Sequence, residues 1–192
     1  MKRRALSVFW ALALCLTLLS ATALAEGAGD AAQIGEKTYS TLPDAVDAAQ
    51  DGDTIKLLAD YGVDGGSLPT IAVTKRVTLD LNGHAIEYVE VGQTDEDGET
   101  VLASGDLTVE DTSTAKTGKV TSRIDLVAGE LTINGGTIGG SGRYDGAEIK
   151  NGTLTVNGGT IVSLYGEEGN NGTVTITGGT VKNARFGEDF NI

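Results

Sequence analysis

The chain has 192 residues and is strongly acidic, with 27 Asp and Glu residues against 14 Lys and Arg and a formal net charge of −13. A balance of this sign argues against nucleic acid or an anionic membrane as a partner, because both require a basic surface. The single cysteine, Cys15, lies near the N-terminus, so the rest of the chain contains neither a disulfide nor a reactive thiolate. This length is sufficient for one domain with a continuous core.

The N-terminus is predicted to be a secretory signal peptide over residues 1–25. Residues 2–4 are basic, residues 5–19 are almost entirely apolar, and residues 23–25 form a small-x-small cleavage site, which places the mature N-terminus at Glu26. The apolar run is shorter than the roughly 20 residues that a bilayer span needs. We therefore expect a secreted or cell-surface protein without a membrane span in the mature chain.

The next two segments are predicted to be a loose leader over residues 26–38 and one helix over residues 41–50. Thr41 is suited to the N-cap, Pro43 to the first turn, and Asp44 completes a capping box with Thr41. One face of the helix is apolar. Its residues are Leu42, Ala45, Val46 and Ala49.

The remainder of the chain is dominated by a repeated phrase, Leu-Thr-Ile-x-Gly-Gly-Thr. It occurs at residues 131–138, 154–161 and 174–181, and in a looser form at 79–86. With residue 107 included, the aligned strands begin 28, 24, 23 and 20 residues apart. Fixed-period repeats of this length are typical of stacked solenoids, in which each copy forms one coil.

Each part of the phrase has a structural role in such a coil. Leu and Ile point inward and Thr outward, because alternate side chains of a strand face opposite ways. The glycines allow the sharp turn that follows. The residue before the glycines is then repeated from coil to coil, and it is predicted to form a ladder of turn side chains. The ladder residues are Asn82, Asn134, Asn157 and Thr177.

The order of these segments resembles a known superfamily. Residues 39–49 with 52–55 are similar to the start of pectate-lyase-like right-handed β-helix proteins, and residues 77–83 with the repeats are similar to bacterial exported surface proteins of that superfamily. The resemblance implies an all-β, right-handed, single-stranded parallel β-helix over residues 39–192. It also implies that the helix at 41–50 caps the N-terminal end and that the coils occupy about 54–192.

The superfamily includes lyases, hydrolases and adhesins, so the resemblance implies a fold and not an activity. Family hydrolases use a Gly-His-Gly segment with clustered Asp residues, whereas the only histidine here, His84, is followed by Ala85. His84 takes the place of the second glycine and is predicted to be a turn residue. Asp80 is predicted to be a solvated surface carboxylate. No residue is therefore assigned a catalytic role.

Two other groups of residues are candidates for binding. Asp95, Asp97 and Glu99 form an acidic loop similar to part of a calcium-binding loop, although the spacing of an EF-hand is incomplete. The segment is either a structural calcium site or a solvated, hairpin-like insertion. No other cofactor is expected.

An aromatic residue recurs about once per coil after the repeat, with an arginine before two of the three. We expect this stripe either to bind a polysaccharide or a surface protein, or to pack coil against coil. Its residues are Arg143, Tyr144, Tyr165, Arg185 and Phe186.

The sequence therefore favours a non-catalytic, exported bacterial scaffold or adhesion module. Two alternatives stay open: a polysaccharide lyase or glycoside hydrolase relative acting on acidic polysaccharide, and a truncated fragment of a larger surface adhesin. The chain stops at Ile192 soon after the last repeat, with no cap in the sequence. An uncapped coil exposes backbone donors and core, so end-to-end self-association through the last coil is also expected.

Overall fold

The computed structural model describes residues 29–63, 70–98, 100–166, 169 and 171–187. These residues form one short helix, α1 (Leu42–Ala48), and otherwise strands joined by turns. The predicted signal peptide lies outside the described residues, as do residues 188–192. The described part of the chain is thus mostly β, in agreement with the all-β prediction.

The strands form two large sheets and one hairpin. In chain order they are β1 (Ala32–Ile34), β2 (Lys37–Tyr39), β3 (Thr54–Leu57), β4 (Ala72–Val73), β5 (Arg76–Asp80), β6 (Ala85–Val91), β7 (Gln93–Thr94), β8 (Val101–Ala103), β9 (Gly105–Glu110), β10 (Lys119–Leu126), β11 (Gly129–Ile133), β12 (Thr137–Ile138), β13 (Gly146–Ile149), β14 (Asn151–Val156), β15 (Thr160–Gly166), β16 (Asn171–Ile176) and β17 (Thr180–Phe186). The first sheet has the order β16-β14-β11-β9-β5-β3-β1-β2. The second has the order β12-β15-β13-β10-β6-β4, with β17 paired to β15.

Successive repeats lie side by side in both sheets. Leu107, Leu131, Leu154 and Val174 are in register on four parallel strands of the first sheet, and each is buried. The second sheet is built in the same way from β6, β10, β13, β15 and β17. The apolar side chains of the two sheets form one core cluster, so the repeat phrase has the inward-facing residues that its alternation predicts.

The register differs from the predicted alignment in the earliest copy of the phrase. Val77, and not Leu79, pairs with Leu107, while Leu79 pairs with Val109. The turn after β5 is longer than the Asn-Gly-Gly turn, and the difference shifts the strand by two residues. A shift of two preserves which side chains face the core, which explains why the misaligned phrase still resembled the others.

At the N-terminal end of the first sheet, β1 and β2 form an antiparallel hairpin, and α1 packs against β1, β2 and β3. The prediction of a loose leader over residues 26–38 is wrong in its second half, because β1 pairs with β3 in the first sheet and Ala32 is fully buried. The helix itself is confirmed: the Thr41 side chain accepts a hydrogen bond from the Asp44 N–H at 3.2 Å. Lys75 Nζ donates to the carbonyl of Ala49 at 2.9 Å, which satisfies the C-terminal end of the helix.

The predicted ladder of turn side chains is present for three of its four members. Asn157 Nδ2 donates to Asn134 Oδ1 at 3.0 Å, and the Thr177 hydroxyl donates to Asn157 Oδ1 at 2.7 Å. The prediction that Asn82 belongs to the ladder is wrong. Asn82 has a left-handed backbone with φ of +47°, and its amide donates to the Leu57 carbonyl at 2.8 Å instead. The longer turn after β5 takes Asn82 out of register with the ladder.

Two long turns, after β5 and after β9, are held by buried carboxylates. Asp80 accepts hydrogen bonds from the N–H of Asn82 and from the N–H and hydroxyl of Thr112, at 2.9, 2.9 and 2.6 Å. Asp111 accepts from the N–H groups of Gly83, Ser113 and Gly118 at 2.9, 3.1 and 2.7 Å. Asp80 is only 3% exposed, so the prediction of a solvated surface carboxylate is wrong.

The last repeat leaves part of its inward face accessible. Ile176 is 48% exposed, although its register neighbour Val156 is fully buried. Among the described residues, β16 pairs only with β14 and β17 only with β15. End-to-end self-association through this repeat stays a prediction.

Candidate ligand-binding cleft

The aromatic stripe lies in one surface cleft of about 780 Å³. Three segments line it: residues 140–144, the end of β15 and the end of β17. All five residues predicted to contact a ligand are therefore brought together. They are Arg143, Tyr144, Tyr165, Arg185 and Phe186.

The aromatic residues do not form a simple ladder from strand to strand. Tyr165 is in register with Arg185, and Phe186 is in register with Gly166. The partner of Tyr165 is instead Tyr144, with ring centroids 5.8 Å apart and planes inclined at 62°. The Tyr165 hydroxyl also donates to the Tyr144 carbonyl at 3.0 Å. Tyr165 is nearly buried while Tyr144 is 54% exposed, so Tyr165 fixes the position of a more accessible neighbour.

The wall of the cleft is the loop between β12 and β13. Asp145 Oδ2 accepts the Gly142 N–H at 2.7 Å and closes the loop. The guanidinium of Arg143 lies over the Tyr144 ring, with 5.6 Å between its central carbon and the ring centroid. An arginine stacked in this way is ordered while its donors stay available.

Beneath the cleft, three carboxylates lie in register on adjacent strands of the second sheet. Glu90, Asp125 and Glu148 each stand between two core residues. Alternation therefore directs them to the outer face of the sheet. Tyr165 and then Arg185 continue the same row, so the row leads from the carboxylates into the cleft.

Asp125 is the centre of a buried charge cluster. Its side chain is 1% exposed and forms an ion pair with Arg123 Nε. Arg123 Nη2, Lys150 Nζ and the Tyr88 hydroxyl all donate to Asp125 Oδ2, at 3.0, 3.3 and 3.0 Å. Arg123 Nη1 lies 3.6 Å from Glu148 Oε2. Asp125 and Glu148 are therefore paired with cations, as burial requires.

Arg123 connects this cluster to the cleft. Its Nη1 donates to the Tyr165 hydroxyl at 3.4 Å. The strand between them has Gly146 in register with Arg123, and a Cβ at that position would overlap the Ser163 carbonyl oxygen. Gly146 thus permits the close approach of the strands and leaves room for the arginine to reach Tyr165.

Tyr88, Tyr165 and Arg123 keep their protons over the physiological range. Burial, followed by the negative charge of Asp125, raises the pKa of Tyr88 well above its ordinary value. Burial also raises the pKa of Tyr165. Burial lowers the pKa of Arg123, but Asp125 and the other neighbours outweigh it and the net pKa is raised. Both tyrosines are therefore neutral donors, and the arginine is always charged.

This cluster was not among the predicted sites. The signal that identifies it is an acidic residue between two apolar ones at the same place in three repeats: Glu90 after Val89, Asp125 after Ile124 and Glu148 after Ala147. The repeats differ in length, so this correspondence becomes evident only from the strand register.

The other predicted site residues lie away from the cleft. His84 is in a turn, as predicted, with Nδ1 3.3 Å from Asp60 Oδ1. Asp95 and Asp97 lie in the turn of the β7–β8 hairpin, where Asp95 Oδ1 accepts the Thr100 N–H at 3.1 Å. Glu99 lies outside the described residues. In the described part of the chain, no group of three or more His, Cys, Asp and Glu residues is arranged to hold a metal ion, and calcium stays a prediction.

No protein-family model, curated protein or solved structure gives a significant match to this chain. Of the helices in the described residues, none is long and apolar enough to cross a membrane.

Proposed function

We propose that this protein is an exported bacterial right-handed parallel β-helix that serves as a non-catalytic scaffold or adhesion module and binds its partner in the cleft. The observation that carries the binding role is the position of Arg143, Tyr144, Tyr165, Arg185 and Phe186 around one cleft. These residue types are the ones that dominate binding energy in recognition surfaces.

The proposal of a right-handed parallel β-helix is supported by the order of the parallel strands. Consecutive repeats occupy neighbouring positions in both sheets, and a connection between parallel strands is right-handed in nearly all proteins. The resemblance to pectate-lyase-like proteins and the signal-peptide pattern of residues 1–25 add support for the superfamily and for export.

A second candidate function is hydrolysis or lysis of a polysaccharide. Glu90, Asp125 and Glu148 favour it, because carboxylates that flank a sugar are the groups that glycosidases use. Against it, Asp125 is inaccessible, forms ion pairs with Arg123 and Lys150, and accepts a hydrogen bond from Tyr88. A carboxylate held in this way is unavailable as an acid or a nucleophile.

The test is binding of the purified protein to arrays of glycans and of peptides, compared with the variant Arg143→Ala/Arg185→Ala. We expect a ligand whose binding is lost in the double variant, because both arginines line the cleft. Binding that the double variant retains, or none on either array, would contradict the proposal. A parallel assay on polygalacturonate with calcium distinguishes the second candidate, since product formation above background would show catalysis.

A further inference from the structure

The cleft is suited to an anionic ligand. Its lining contains two arginines, Arg143 and Arg185. Both are exposed, and neither forms a salt bridge with another described residue. A concave site lined by exposed cations attracts a negatively charged group in preference to a neutral one.

The aromatic residues are poorly placed to act as a platform for a sugar. One face of the Tyr144 ring is covered by the Arg143 guanidinium, and Tyr165 is 9% exposed and packed against Tyr144. Stacking of a sugar on that face of Tyr144 would displace the arginine from the ring. The exposed surface that the pair presents is instead the flat, multidentate donor group of Arg143, which suits a carboxylate.

The edge of the second sheet runs along the cleft. β17 pairs only with β15 among the described residues, and residues 183–187 line the cleft. An unpaired strand edge offers alternating N–H and C=O groups to an added strand. Lys182 and Arg185, both exposed, are the only charged residues of β17.

We infer that the partner bound in this cleft is an acidic, extended peptide segment that adds to β17 as a further strand. This inference rests on the proposed function. Continuing the register places one residue of the segment beside Arg185, on the side opposite Tyr165. Val181 and Ala184 are in register with the core residues Ile161 and Leu164, so Lys182 and Arg185, which follow them, both point away from the core. A carboxylate beside Arg185 pairs with it, and a second, three residues away, pairs with Lys182. The main-chain bonds supply affinity and the charges supply selectivity.

The experiment is a fluorescence-anisotropy titration of the purified protein with a library of acidic octapeptides of β-forming sequence, each with two Glu residues three positions apart. We expect binding that weakens as salt rises, because exposed charges are screened. The same peptides with Gln in place of Glu, or with alternate backbone amides N-methylated, should bind at least ten-fold more weakly.

Charge reversal gives the sharper result. Arg185→Glu should lose the Glu peptides and gain binding to peptides in which Lys replaces only the Glu that lies beside residue 185. Lys119→Gln removes an exposed cation from β10 outside the cleft lining and should leave the titration unchanged. An exchange of specificity of this kind cannot result from misfolding of the variant.

The failures of the two proposals are distinguishable. If an oligogalacturonide binds in the cleft and no peptide of the library does, this inference is overturned and the binding function survives. Binding of N-methylated peptides as tightly as their parents would also overturn strand addition. If neither class binds, both proposals are wrong.

Discussion

The molecule connects its two sheets by two kinds of turn, and their difference shows what the repeat phrase achieves. In the regular repeats the turn after β14 is Asn157-Gly158-Gly159, and it lies directly on the equivalent turn of the preceding repeat. The Asn157 N–H donates to the Ile133 carbonyl at 2.8 Å, and the Thr160 N–H donates to the Gly136 carbonyl at 2.9 Å. The backbone N–H groups of each turn are therefore hydrogen-bonded to the equivalent part of the preceding repeat.

The long turns after β5 and β9 have no such copy beside them. Their backbone N–H groups bind instead to Asp80 and Asp111, and the two carboxylates act reciprocally: Asp80 holds Thr112 of the later turn, and Asp111 holds Gly83 of the earlier one. Buried backbone donors must be paired in either case. Where repetition cannot supply the partner, a buried aspartate does.

Replacing Asp111 by Ala should be the most damaging change to this arrangement. It removes the acceptor of three backbone N–H groups, one of them in the buried Gly118, and each orphaned buried donor costs about 1 to 3 kcal/mol. We expect a loss of about 4 kcal/mol in the free energy of unfolding, measured by urea denaturation at pH 7. Thr38→Ala, on the exposed edge strand β2, is the control and should change little.

The contribution of Asp111 to the free energy of unfolding should decrease in acid. Burial alone would raise the pKa of Asp111, but the hydrogen bonds from Ser113, Gly118 and Gly83 outweigh it and the pKa lies below its ordinary value. The stabilisation is then fully present above the unfolded pKa of about 3.9 and is lost as the pH falls through the folded pKa. Asp111→Asn should be less stable than the parent at pH 7, with the difference shrinking below pH 4; a difference independent of pH would contradict this.

Replacing a glycine of the regular turn should cause the second-largest loss of stability. Gly159 has φ of +71°, and a Cβ there would lie 2.6 Å from the Gly136 carbonyl oxygen. Backbone strain and overpacking each cost about 1 to 3 kcal/mol, so Gly159→Ala should lose about 3 kcal/mol. The matched control is Gly52→Ala, with φ of +94° and nothing within 4 Å. Equal losses in the two variants would mean that strain alone matters and that the stacking distance does not.

The regular repeats were predictable because one physical pattern recurs at nearly constant spacing. Leu131, Leu154 and Val174 align by eye, and the same alternation that marks their strands also predicts their burial. The capping box of α1 was equally local, since Thr41 and Asp44 are three residues apart. Such features depend only on neighbours in the chain or on identical copies.

The features that were not predicted correctly depend on the strand register between segments of unequal length. Asp80 was misassigned because its partner Thr112 lies in a turn of different length. The cluster around Asp125 could not be predicted because its three strands share no sequence phrase by which to align them. The aromatic residues of the cleft recur at equal spacing, so spacing alone could not show that Tyr165 contacts Tyr144, while Phe186 is in register with Gly166.

The smallest expected effect tests whether side chains add to the stacking of the regular turns. Asn157→Ala removes the hydrogen bonds to Asn134 and Thr177. Both bonds lie at exposed positions, where water replaces the lost partners, so we expect a loss of about 1 kcal/mol. A double-mutant cycle with Thr177→Val measures the coupling directly. A coupling indistinguishable from zero would mean that the side-chain bond between Asn157 and Thr177 adds nothing to the backbone bonds that hold these turns.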